Sequence, residues 1–149
     1  MMKKILLLFC LVFGLSFVPT AQAAMISEKQ EIEMGERAGK ALEAQYGLYQ
    51  DDEVASRIDR IGKALAAHST RQIPYTFKVL NTQDVNALAC PGGFIYVYKG
   101  LVDTMTSDDE LAAVLGHEIG HIEKRHTVHQ IEKQMALSLL TILAGAASG

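Results

Sequence analysis

His117 and His121 stand four residues apart in the run His117-Glu118-Ile119-Gly120-His121. On a helix, residues with that spacing project from nearly the same angle one turn apart, so two ring nitrogens can close on one ion. Neutral imidazole suits zinc, which in catalytic sites keeps a position open for water. Glu118 is turned by about 100° from His117, at ~3.6 residues per turn, which places it to take a proton rather than to ligate. The pattern therefore points to peptide-bond hydrolysis with one Zn2+ per chain. The ion lowers the pKa of its water toward ~7, Glu118 accepts the proton, and the hydroxide attacks a polarised carbonyl. Gly120 leaves space near the ion.

A third ligand does not follow from spacing. A histidine six residues after His121 would mark the metzincin type, but that position is Thr127, and the glycine expected between them is Lys124. On a continued helix His126 lies ~7.5 Å along the axis and ~140° around from His121, and His129 ~12 Å along, so neither reaches the same ion. Glu123 and Glu132 fail similarly unless the helix breaks. Two ligands and a base are what the spacing provides.

The helix that must carry them starts with a clear signal. Ser107 and Glu110 have capping-box spacing, and Asp108 and Asp109 bring negative charge to the helix N-terminus. Leu111, Val114, Leu115 and Ile122 form its expected buried side. Upstream, Ser27 and Gln30 open a helix through about Tyr46, with Ile32, Ala38, Leu42 and Tyr46 on one face and Gly47 after its end. Asp51 and Asp52 start a second helix whose buried stripe is Val54, Ile58, Ile61 and Leu65, with His68 as a cap on its last carbonyls. Period two then takes over at Tyr75, Phe77 and Val79, the mark of a strand. A further extended stretch runs from Val85 to Cys90. Pro91-Gly92-Gly93 turns the chain, Phe94 to Tyr98 is the strongest strand, and Gly100 closes it.

The first residues follow another logic. Lys3 and Lys4, the apolar run Ile5 to Val18 and the small residues Ala21-Gln22-Ala23-Ala24 make a secretory signal peptide over residues 1–23, leaving residues 24–149 as one metallopeptidase domain. Cys10 goes with the leader, so Cys90 is the lone thiol of the mature chain and is expected to be buried. Fourteen Lys+Arg stand against 17 Asp+Glu, and without Lys3 and Lys4 the balance is 12 against 17. With no basic run either, nucleic acid is excluded as a partner.

Asn86-Ala87, Pro91-Gly92-Gly93, Phe94-Ile95-Tyr96-Val97, Gly100-Leu101, Asp109-Glu110-Leu111-Ala112, and His117 to His121 with Arg125-His126 together resemble a known family. It is the zinc metalloprotease family of the CAAX prenyl proteases, and the chain is more similar to the periplasmic members of Gram-negative bacteria that degrade or chaperone outer-membrane proteins. The resemblance runs from about Glu28 and implies an α+β fold of gluzincin type, with N-terminal helices, a small curved sheet, the histidine helix and an apolar C-terminal helix. It implies His117 and His121 as zinc ligands and Glu118 as catalytic base. Unfolded or misassembled proteins are the implied substrates, added as a strand along Asn86, Ala87, Leu88, Ala89 and Cys90. Export to the periplasm is implied, with association to the outer membrane and the oligomeric state left open.

The family's third ligand is a glutamate on a later helix, and 28 residues follow His121 here (149 − 121). The stretch from Met135 to Ala146 is apolar and small. It is expected to be a core helix lacking its partners, and the chain part of a longer protease. A second function keeps the same strand but grips extended polypeptide without cutting it, as a chaperone-like module.

Overall fold

The computed structural model describes residues 26–147; the expected leader at residues 1–23 lies outside the described residues. Helix α1 spans Glu28–Tyr46, with both halves of the Ser27/Gln30 capping box formed and Gly47 as its C-cap at φ 71°. Asp51 caps α2, Asp52–Ala66, by accepting from the Glu53 and Val54 amides. The carbonyls at the end of α2 are met by the backbone N–H groups of Ala67 and His68. The His68 ring, expected to act as the cap, is exposed and makes no hydrogen bond among the described residues.

Strands β1 (Thr76–Leu80), β2 (Ala87–Cys90) and β3 (Phe94–Tyr98) form one sheet in the order β1-β3-β2. β1 runs parallel to the central strand β3, and β2 antiparallel to it. Because side chains alternate across a strand, β3 serves two cores. Ile95 and Val97 face α2 and the histidine helix, joining Ile58, Ile61, Phe77 and Val79. Tyr96 and Tyr98 face α1 with Leu80 and Cys90, against Ala38, Leu42 and Tyr46. Helices on both faces of a small mixed sheet give an α+β fold.

Two further features differ from the sequence expectation. Gly100 does not close β3 into a loop: a short helix, α3 (Lys99–Thr104), follows at once. Glycine is needed there for close approach, since a Cβ would lie 2.1 Å from the Gln83 carbonyl oxygen. The buried face of α1 also centres on Glu31, Gly35 and Gly39, between the expected apolar residues. At Gly35 a Cβ would lie 1.8 Å from the Pro91 oxygen, so the helix backbone rests directly on the turn before β3.

α4 (Asp108–Glu123) carries the histidines, and α5 (His126–Ala147) follows after a break. Among the described residues no helix is long and apolar enough to cross a membrane. Met135, Leu137, Leu139, Leu140, Ile142 and Leu143 on α5 are exposed.

Candidate functional site

Ser107 accepts from the Glu110 amide and starts α4, but the Glu110 carboxylate reaches one residue further back, to the Thr106 N–H and hydroxyl. Leu111, Leu115, Ile119 and Ile122 are the buried side of the helix. Val114, expected among them, is only partly buried and lines a surface concavity with His117 and Glu118. The histidines are thereby on the side of α4 away from the core while the helix itself is fixed by four apolar anchors.

The two rings converge. His117 Nε2 and His121 Nε2 are 3.1 Å apart. Two imidazole nitrogens on one tetrahedral zinc stand about 3.3–3.4 Å apart, given Zn–N of about 2.0–2.1 Å. The pair therefore fits a shared zinc ion through its Nε2 atoms with little adjustment. Glu118 makes no hydrogen bond or ion pair among the described residues, so its carboxylate is available to a water or substrate. No group of three or more His, Cys, Asp or Glu among the described residues could hold a metal. The later acids are engaged elsewhere: Glu123 accepts from the Thr70 amide, and Glu132 from the Ile26 amide.

His126 departs from the straight-helix expectation. The chain bends at Arg125, which takes a left-handed φ of 50°, and α5 sets off in a new direction. That bend brings His126 Nδ1 to 2.8 Å from His121 Nδ1. The rotation of about 140° holds only for an unbroken helix, and no Gly or Pro in the sequence marks the break.

Arg125 is held there by a buried carboxylate. Glu31 accepts from Arg125 Nε at 2.9 Å, from both terminal nitrogens of Arg71 at 2.7 and 3.1 Å, and from the Gly92 amide at 3.2 Å. Arg71 also donates to the Ile122 carbonyl at the end of α4, and Arg125 to the Ile26 carbonyl. Burial acts to raise the Glu31 carboxyl, but Arg71, the Gly92 amide and Arg125 outweigh it and hold it below the ordinary carboxylate value.

The strand stretch expected to bind substrate lies beside α4. Ala87, Leu88, Ala89 and Cys90 form β2, and Asn86 just precedes it while its carbonyl accepts from the Tyr98 amide. Alternation along an antiparallel pair then turns the backbone groups of Leu88 and Cys90 toward β3 and those of Ala87 and Ala89 outward. The outward Ala87 N–H is met by its neighbour's side chain, Asn86 Oδ1, at 2.9 Å. Val85, Asn86 and Ala87 share the concavity with Val114, His117 and Glu118. The Cys90 side chain is buried on the α1 face, and burial pushes its thiol up to about 11, which keeps it protonated and a poor metal ligand.

Residues 49–149 match peptidase family M48. The chain belongs to that family. It is 33% identical over 129 residues to the metalloprotease LoiP of Escherichia coli K12, covering 86% of this chain and 50% of LoiP. It is 31% identical over 125 residues to the beta-barrel assembly-enhancing protease of Yersinia pestis, covering 83% of this chain and 26% of that protein. Over 104 residues it is 36% identical to the metalloprotease YcaL of Escherichia coli K12, covering 66% of this chain and 41% of YcaL. This M48 chain thus spans about a quarter to a half of the length of these relatives.

Proposed function

We propose that this M48 chain is the catalytic part of an exported zinc metalloendopeptidase that acts on unfolded or misassembled envelope proteins. The observation that carries the reading is the 3.1 Å approach of His117 and His121 Nε2 beside an unengaged Glu118, on a helix that borders an open strand edge. The relative named a metalloprotease supports the reaction, and the one named a beta-barrel assembly-enhancing protease supports a role in the envelope. His117 and His121 would hold zinc through Nε2. When bound, the ion supplies a Lewis acid that polarises a water and the scissile carbonyl.

The chain's own residues do the rest. The outward N–H and C=O groups of Ala87 and Ala89 pair with an extended substrate, a grip that tolerates many sequences because it reads main chain. Occupying Ala87 requires the Asn86 side chain to release that amide, so Asn86 shields the edge between substrates. Glu118 takes the water's proton on its carboxylate and delivers it to the departing amine. A third ligand would have to join His117 and His121, and the resemblance to gluzincins implies a glutamate for that place.

Zinc-dependent cleavage of unfolded casein by the purified chain, followed on gels, tests the reading. Glu118→Gln should lower the rate by about 10²–10⁴-fold while zinc is still bound. Equal rates in both proteins would remove Glu118 from the chemistry. Casein binding that survives Glu118→Gln and a chelator, with no cleavage by the wild type, would favour a chaperone-like module instead.

A further inference from the structure

We propose that His126 is a positioning residue for His121: its Nδ1 accepts the Nδ1–H of His121 and so keeps the His121 Nε2 lone pair directed at the ion. The inference rests on the metal-site reading above. Three imidazoles stand in a row, with 3.1 Å between the Nε2 atoms of His117 and His121 and 2.8 Å between the Nδ1 atoms of His121 and His126. Two neutral rings can share the second contact in either direction, since each carries one N–H and one lone pair. Only one direction is compatible with His121 as a ligand. Its Nε2 must then be bare, its proton must sit on Nδ1, and the atom placed to accept that proton is His126 Nδ1.

A zinc-binding imidazole usually gives its other N–H to a carboxylate, a backbone carbonyl or water, which fixes the tautomer and turns the ring. Here the group at hydrogen-bond distance from His121 Nδ1 is another imidazole. Its ring lies edge-on to that of His121, with the centroids 4.9 Å apart and the planes at 75°. In a perpendicular arrangement the in-plane lone pair of one ring can meet the N–H of the other without stacking the π faces. The geometry exists because Arg125 adopts φ 50° and is held by Glu31 and the Ile26 carbonyl. On a straight helix the same residue would point elsewhere. His126 is exposed, so its side chain is not there to fill a core.

The test measures zinc affinity of the full chain by competition with a chromophoric chelator, in the wild type, His121→Ala, His126→Ala and His126→Asn. Asn keeps an acceptor oxygen near the place of Nδ1. We expect His126→Ala to weaken zinc by roughly tenfold to a hundredfold and His126→Asn to recover most of the loss. In the zinc-free chain, ¹⁵N spectra should find the His121 proton on Nδ1 in the wild type and spread over both nitrogens in His126→Ala. Unchanged affinity in His126→Ala beside a collapse in His121→Ala overturns the positioning role and leaves the metal site standing. No loss in His121→Ala overturns the metal site, and this inference with it. A wild-type His121 proton resident on Nε2 overturns the inference even if the alanine variant fails to fold.

Discussion

A carboxylate left 1% exposed is costly unless protein donors replace its water, and Glu31 has four hydrogen bonds from two guanidinium groups and one amide. Removing the charge would leave Arg71 and Arg125 largely buried and short of a partner. Glu31→Gln should therefore destabilise the fold by about 3 kcal/mol at neutral pH, the range for breaking one side of a buried pair. Its folded-state value lies below the ordinary 4.5, so its ionisation contributes fully above 4.5 and is lost as the pH falls through the lower folded value. Urea unfolding of both proteins at neutral pH and near pH 3 should show the gap between them narrowing in acid; a constant gap would rule this account out. The motif residues His117, Glu118 and His121 could be read from spacing alone. Glu31 could not, because a charged residue in a helix reads as solvated unless its partners, 40 and 94 residues away, are known. The glycines at positions 35 and 39 were the usable hint, marking a face where a neighbour comes too close for side chains.

At the scale of elements, two glycines should answer substitution in opposite ways. Gly116 sits on α4 with nothing within 4 Å of where a Cβ would be, whereas that of Gly35 would strike the Pro91 oxygen at 1.8 Å. Gly116→Ala should stabilise by about 1 kcal/mol through helix propensity. Gly35→Ala should destabilise by about 2 kcal/mol, because α1 must shift off the turn. Thermal melts of the two variants check both, and a shared direction would contradict the packing described. Local signals located α1, α2, α4 and the strands because caps and periodicity are written in neighbouring residues. α3 escaped since Lys99 to Thr104 is too short for a period to show. The bend at Arg125 escaped because its left-handed backbone depends on Glu31 and Ile26, which are distant in the chain.

The whole molecule has a sheet with unlike edges. Beyond β1, the 47–49 segment makes the bridge Leu48–Leu80, with Tyr49 N–H donating to Val79 and Asn81 N–H to Gly47. Beyond β2, the outward groups of Ala89 have no backbone partner among the described residues. Proline at an edge position removes a solvent-facing N–H without cutting the pairing to the inner strand. Ala89→Pro should then keep the melting temperature within a few degrees while raising the KM for an extended peptide about fivefold, the worth of one hydrogen bond of about 1 kcal/mol. An unchanged KM would place substrate elsewhere.

The bridge at the Leu80 end of β1 bears on how this sheet could pair with a second copy of itself. Open sheets with two free edges can be extended from both sides, each added strand offering a fresh template for the next. Here the 47–49 segment takes the place of a further strand at the Leu80 end of β1, whereas β2 has no such backbone neighbour among the described residues. Two copies meeting edge to edge would join β2 to β2 about a twofold axis, consume both free edges and close as a dimer. The segment at 47–49 thereby hinders this sheet from extending itself through the Leu80 end of β1.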